Sequence, residues 1–370
     1  MNKTKKILTN FLKNIAKIHY GNSVLIISSL GKGNNNGYEI GKAIFEVCEH
    51  IGCKVNLVVQ TPRLFSKPMD HIVRNSMMEN YDIVFQTDVD KLGHDPIGAA
   101  TPYLIGKNKY TNILYYRKAK KEITAYWFDV SDIDKWLNSI DIDYEEMGKL
   151  SIDLEEKLKK TKYIRVISDG GKNQLKLKVD RTNFPRSDYS PKRSIKGAGG
   201  NIPFGETLIT PDNSFATGSL VVDGSFYNEL EENTVIVETP ITLSFRNGKL
   251  SEIKGDKEAE TLTHILKTVK KQTVRMAIKN KHITKNYLNN IYGINEFAIG
   301  TNKNATISGD LVIDEKTYGT AHIALGRSYD GDPAFLHCDL IVKKPKIIFE
   351  YYSGKSEIIV NENVILPTQT

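Results

Sequence analysis

The hydrophobic period of this chain changes once, near residue 160, and that change limits what the chain can fold into. Before it, short apolar runs alternate with helical spacing. Residues 24–28 form an apolar run that ends in the turn Ser28-Ser29-Leu30-Gly31-Lys32-Gly33. Ile40, Ala43, Ile44 and Val47 then recur at helical intervals within 37–51, and 55–59 is a second apolar run. Residues 81–87 and 113–116 read as two further strands, with a helical stretch around 71–78 between them. Such alternation builds an open α/β layer. The glycine-rich turn after the first strand matches neither GxGxxG nor GxxxxGK[ST], so it reads as a plain loop rather than a nucleotide cradle.

Residues 131–160 carry a helical apolar stripe of Ile133, Trp136, Leu137, Met147, Leu150, Leu154 and Leu158, the pattern of a connecting helical segment. From there the period is two. Strands are expected at 163–167, 174–179, 220–223, 235–238, 241–246, 310–314, 336–342 and 347–351, with turns at Gly170-Gly171, Asn247-Gly248 and Gly354. One long helix is expected over 258–281. The fold class is therefore α/β: an N-terminal open α/β layer domain with its connecting helix, 1–160, followed by a β-rich α+β metal-binding domain, 161–370.

Composition narrows the class further. With 40% hydrophobic and 26% charged residues, the 370-residue chain has the profile of a globular protein, not a disordered or collagenous one. No run approaches the ~18 apolar residues of a membrane span, and the Lys-rich start gives neither a signal peptide nor an anchor. Cys48, Cys53 and Cys338 are too few for a disulfide framework, which points to a reducing, cytoplasmic setting. The net charge of +7 is modest. Its densest stretch, Lys267, Lys270, Lys271, Arg275, Lys279 and Lys281, reads as a solvated helix face, and neither nucleic acid nor membrane is expected as a partner.

The residues able to carry chemistry lie in the second domain. In His337-Cys338-Asp339, alternation along a strand sends the imidazole and the carboxylate to one face and Cys338 to the other, into the core. His322 sits in the small-residue stretch Tyr318-Gly319-Thr320-Ala321-His322-Ile323-Ala324-Leu325-Gly326. Glu296 precedes an apolar segment closed by Gly300; buried unpaired it would be costly, so a cation or strong donor should face it. Glu206 follows Asn201-Ile202-Pro203-Phe204-Gly205, where glycine permits a tight turn. Two imidazoles and three carboxylates suit a two-metal hydrolytic centre, because three carboxylates and one hydroxide balance two divalent ions. The imidazoles favour zinc, cobalt or manganese over calcium.

These segments, Asn201-Ile202-Pro203 through Glu206 with Thr210-Pro211, then 296–302, then 320–326 with Tyr329, then His337 and Asp339, resemble in content and order the metallo-aminopeptidase family of aminopeptidase T and aminopeptidase S. The resemblance covers roughly 160–342. It implies that Glu206, Glu296, His322, His337 and Asp339 bind two metal ions, that Tyr329 points its hydroxyl at the reacting carbonyl, and that Glu206 and Tyr329 are the catalytic residues. It also implies a homodimeric exopeptidase acting on short peptides, or on a related amide. The chain departs from the family in a short loop at 330–336 and a longer, more basic segment between Thr261 and Gly293. A fold relative, the iron-dependent 2,5-dihydroxypyridine dioxygenase family, keeps the HxD pair but has His where this chain has Glu296. A third reading is a non-catalytic relative that binds a peptide or partner through the basic helix.

Overall fold

The computed structural model describes residues 3–106, 108–189, 196–279, 283–328 and 333–367. The chain forms two compact units. One holds the chain up to Ile142 with a return stretch that ends at Phe204; the other runs from Asp143 around that return to the remainder. The expected division lies at 160, and two segments differ: the return stretch ending at Phe204 belongs to the first unit, and the helix Tyr144–Lys160 to the second, with Leu154 and Leu158 on its apolar stripe in that unit's core.

In the first unit, strands β1 (Ser23–Ser29), β2 (Lys54–Gln60), β3 (Ile83–Gln86) and β4 (Thr124–Trp127) form a parallel sheet in the order β2-β1-β3-β4. Helix α1 (Asn36–Ile51) links β1 to β2, as the strand, helix, strand reading anticipates. The return stretch runs alongside β4, with Ala125 and Trp127 donating to the carbonyls of Ala198 and Gly200. At the carboxyl ends of β1 and β3, where open α/β sheets usually seat ligands, the chain places a carboxylate of its own. Asp88 is fully buried there and accepts hydrogen bonds from Ser28 Oγ and from the backbone and hydroxyl of Ser29.

Residues 113–116, expected as a strand, start helix α2 (Ile113–Ala119) instead. The short apolar run is ambiguous by itself; Asn112 decides it, its side chain capping the Leu114 amide at 2.8 Å. Helix α3 (Ile133–Ile140) also belongs to this unit, with Trp136 stacked on Phe128.

The second unit begins with α4 (Tyr144–Lys160) and contains two mixed-length antiparallel sheets. The larger takes β5 (Thr161–Ser168), β6 (Asn173–Val179), β9 (Pro211–Val222), β12 (Ile241–Arg246), β13 (Lys249–Lys254), β17 (Lys346–Tyr351), β18 (Ser356–Asn361) and β19 (Val364–Ile365), in the order β13-β12-β9-β6-β5-β17-β18-β19. The smaller takes β7 (Arg186–Ser187), β8 (Glu206–Ile209), β10 (Ser225–Asn228), β11 (Asn233–Ile236), β14 (Ile294–Gly300), β15 (Ala321–Gly326) and β16 (His337–Val342), in the order β7-β8-β14-β15-β16-β10-β11. Helix α5 (Lys257–Lys279) is the long helix expected from the sequence.

One apolar cluster joins the two sheets. Ile164, Val166, Leu175, Leu243 and Phe349 come from the larger sheet, Ile209, Phe297, Ile323, Leu325 and Leu340 from the smaller, and Leu262 and Leu266 from α5. The smaller sheet thus spends one face on the core, and alternation obliges the other face to carry different residues.

Residues 310–314, expected as a strand, form instead the short helix α6 (Leu311–Asp314). Asp314 turns inward and accepts from Ser225 Oγ at 2.6 Å and from the amides of Ser308 and Gly309. The first bond ties the turn to β10 and the other two close it on its own backbone, curling a segment whose alternation alone suggests a strand.

Candidate metal centre

Strand register explains how five distant residues meet. On β15 the core takes Ala321, Ile323 and Leu325, so His322 and Ala324 face the other way; on β16 the core takes Cys338, Leu340 and Val342, so His337 and Asp339 share the opposite face. Glu296 needs a correction to its strand. By simple alternation Ile294 would lie on its side, yet Ile294 is in the core. A β-bulge between Ile294 and Glu296 resets the phase, with the Asn295 amide donating to the Gly326 carbonyl.

The residues between the five are small. Glu206 pairs with Gly300, Ala298 with His322, Glu296 with Ala324, Ala324 with Asp339 and Gly326 with His337. Neighbouring strands lie about 4.8 Å apart, and this lane of Gly and Ala lets long side chains lean together over the sheet.

Their functional atoms converge. His322 Nε2 is 3.4 Å from Glu206 Oε2 and 3.4 Å from Glu296 Oε1. His337 Nε2 is 3.8 Å from Glu296 Oε2 and 3.5 Å from Asp339 Oδ1. The two oxygens of Glu296 therefore address different imidazoles. The His337 Nδ1 donates to the Arg327 carbonyl at 2.8 Å, which fixes the tautomer and leaves Nε2 turned toward the carboxylates. His322 is fully buried, Glu206, Glu296 and Asp339 are nearly so, and His337 is the most open of the five.

Whether a cation fits is answered by the atoms left over. Glu206 Oε2, Glu296 Oε2, Asp339 Oδ1 and both nitrogens of His322 are buried without a hydrogen-bond partner. Burying one such group costs about 1–3 kcal/mol, and more when it is charged. A divalent cation held between these groups would satisfy them, so the donor set fits one. Three groups have ligand atoms within 4.8 Å of one another: Glu206, Glu296 and His322; Glu296, His337 and Asp339; and Glu315, His322 and Asp339.

Sequence reasoning missed three residues here. Lys316, fully buried, places Nζ 2.6 Å from Glu206 Oε1, 2.7 Å from Glu315 Oε1 and 3.5 Å from Asp188 Oδ2. Asp188 in turn accepts from the amides of Gly205 and Glu206. The available signal was the charged triplet Asp314-Glu315-Lys316, a few residues ahead of His322 and between two glycines. Two glycines make the contact possible: a Cβ on Gly205, whose φ is +141°, would come within 2.4 Å of Asn302 Cβ, and one on Gly300 within 2.0 Å of the Thr317 carbonyl.

The electrostatics follow from this crowding. Burial pushes Glu206 up, but Lys316 and then His322 outweigh it and hold the carboxyl down at about 2. Burial raises Glu315 to about 8, with Lys316 opposing and Glu206 reinforcing the rise. Burial also raises Asp188, to about 6, against the pull of Lys316. Burial would lower His322, yet the adjacent Glu206 and Glu296 carboxylates hold it well above its ordinary value; burial opposes the charge on His337 too, and Asp339 and Glu296 raise it.

Tyr329 and residues 330–332 of the short loop lie outside the described residues, as does Lys281. Lys267, Lys270, Lys271 and Arg275 stand exposed on α5, a solvated face as expected. Cys338 is buried in the core, and all three cysteines are free. No helix among the described residues is long and apolar enough to cross a membrane.

No protein-family profile and no curated protein matches the sequence. Solved structures do match the fold. The structure of 2,5-dihydroxypyridine dioxygenase from Pseudomonas putida KT2440 aligns with a TM-score of 0.68 at 15% identity, over 99% of this chain and 98% of that one. Wild-type AmpT from Thermus thermophilus aligns with a TM-score of 0.64 at 13% identity, over 98% of this chain and 99% of that one. The fold is thus a two-domain α/β architecture shared along its whole length with both.

Proposed function

We propose that the protein is a dinuclear-metal aminopeptidase that removes the N-terminal residue of short peptides, or cleaves a related amide. The observation that carries this reading is Glu296, whose two oxygens face two imidazoles in two ligand groups that share it. One group adds Glu206 and His322, the other His337 and Asp339. The fold relationship to AmpT, aminopeptidase T, agrees with it.

The fold relationship to a dioxygenase is as good, so the ligands must decide. Non-haem iron oxygenases use two His and one carboxylate on a single ion. Among the described residues each of the three ligand groups contains one His. That composition favours hydrolysis over iron chemistry.

Two divalent ions, zinc, cobalt or manganese, would supply Lewis acidity and a water that ionises near neutral pH. The chain's own residues do the rest. Glu296 ties the two groups together, Glu206 and Asp339 each complete one, and the Arg327 carbonyl keeps the His337 ring aimed inward through Nδ1. Tyr329 would donate its hydroxyl to the developing oxyanion. A free substrate amine would find the acidic cluster on the open, His337 side. We further propose a homodimer working in the cytoplasm.

Elemental analysis of gently purified protein, paired with amino-acid release from a panel of short peptides, tests the reading. Two zinc, cobalt or manganese ions per chain with release are expected. A single iron with oxygen uptake would replace it with the dioxygenase, and absence of both metal and turnover after metal is added back would leave a binding protein.

A further inference from the structure

Among the described residues Lys316 is the one fully buried ammonium at the centre, and it divides the Glu206 carboxylate. Oε1 lies 2.6 Å from its Nζ, while Oε2 lies 3.4 Å from His322 Nε2 and has no hydrogen-bond partner. The ammonium is itself held from three sides, by Glu206, Glu315 and Asp188. Its backbone is pinned as well: the Lys316 carbonyl accepts from the Asn302 amide at 2.9 Å, and its amide donates to the Ile313 carbonyl at 3.1 Å. The anchored turn at Asp314 leaves it little room to withdraw.

We propose that Lys316 is a metal-selectivity residue: by holding Glu206 Oε1 it withholds that oxygen from the cation of the Glu206–Glu296–His322 group, so that Glu206 serves through Oε2 alone. The inference rests on reading the cluster as a cation centre. Its chemical consequence is preference. Zinc is content with four ligands in a tetrahedron, whereas manganese and magnesium seek six, largely oxygen. A Glu206 free to chelate with both oxygens would move the site toward the second kind of ion. Lys316 is a positioning residue that acts through Glu206.

The test is calorimetric titration of full-length, chelator-stripped protein with zinc and, separately, with manganese, for wild type and Lys316→Met. Removing the ammonium also removes a repulsion, but both divalent ions feel that equally, so it cancels in the ratio of their affinities. The ratio of zinc to manganese affinity at one of the two sites is expected to fall on the order of tenfold in K316M, the low end of what losing a ligand's outer partner does. A ratio unchanged at both sites would overturn the proposal and leave Lys316 a plain counter-ion. If K316M does not fold, a crystal structure of the zinc-loaded wild type decides: Glu206 bound through one oxygen with the Lys316 contact kept is expected, and Glu206 chelating through both oxygens overturns it. Wild type that takes up neither ion refutes the cation centre itself, a result distinct from wild type that binds while K316M shows no change.

Discussion

Glu296 is the place where the two-cation reading can be broken most cleanly. Glu296→Gln keeps volume and hydrogen-bonding capacity but removes the charge that both ligand groups share, whereas Glu206→Gln touches only one of those two. With each cation supplied at about a hundred times its dissociation constant, binding stabilises the folded state by about 2.7 kcal/mol per site. For a unit the size of the second one, 1 kcal/mol corresponds to roughly 2–4 °C in melting temperature. Saturating metal should therefore raise the wild-type transition by about 10–20 °C, that of E206Q by about half as much, and that of E296Q by close to nothing. Scanning calorimetry of metal-stripped and reloaded protein reads all three, with circular dichroism to show that the stripped variants fold. The reasoning fails if E296Q retains the same half-sized rise as E206Q, since Glu296 would then serve one ion, and fails more deeply if E296Q matches wild type.

Metal-free protein should lose stability as pH rises, because His322 and His337 have folded values raised above about 6.5. Their contribution is full below that unfolded value and is lost as pH climbs through the raised one; metal should reverse the trend, since the cation needs the neutral imidazoles, and urea titrations with and without zinc from pH 6 upward would show the two curves crossing. Gly205→Ala should weaken one cation site at least tenfold in calorimetric titration, because its Cβ would press on Asn302 at 2.4 Å and shift the start of the strand that carries Glu206. Phe297→Ala, a fully buried neighbour of Glu296 on the opposite face, should cost about 3–5 kcal/mol in urea denaturation while the metal stoichiometry of the remaining folded protein stays unchanged.

What could be read from the residues, and what could not, divides along the range of the forces involved. The change of period near 160, the α/β order before it and the HxD pair are local patterns, and they persist in the structure because one sheet face is buried and alternation follows. Residues 113–116 and 310–314 were expected as strands because short apolar runs satisfy either period; a side-chain cap at Asn112 and three hydrogen bonds to Asp314 settled them as helices. For Lys316 the one local sign is the charged triplet Asp314-Glu315-Lys316 between two glycines. A lysine among acids normally reads as surface, and only the return of the chain past Gly205 and Gly300 places this one under Glu206. The sequence asks for a cation or strong donor opposite Glu296, and the side chains that face it are the imidazoles of His322 and His337; at Glu206, one oxygen faces an ammonium from the chain itself.

The arrangement also explains how one architecture can accommodate a dioxygenase and AmpT at 13–15% identity to this chain. Alternation separates the two duties of the smaller sheet: Phe297, Ile323 and Leu340 hold the sandwich together from one side, while Glu296, His322 and Asp339 project from the other. A substitution on the outer face therefore changes chemistry without repacking the core. The bulge at Asn295 is what couples the two. Without the extra residue, either Ile294 or Glu296 would have to face the wrong way, so the bulge lets the strand keep an apolar residue in the core and a carboxylate at the centre within three positions. Under the proposed reading, the ion this chain prefers would be set by its outer-face residues and by Lys316, which decides how many Glu206 oxygens are free.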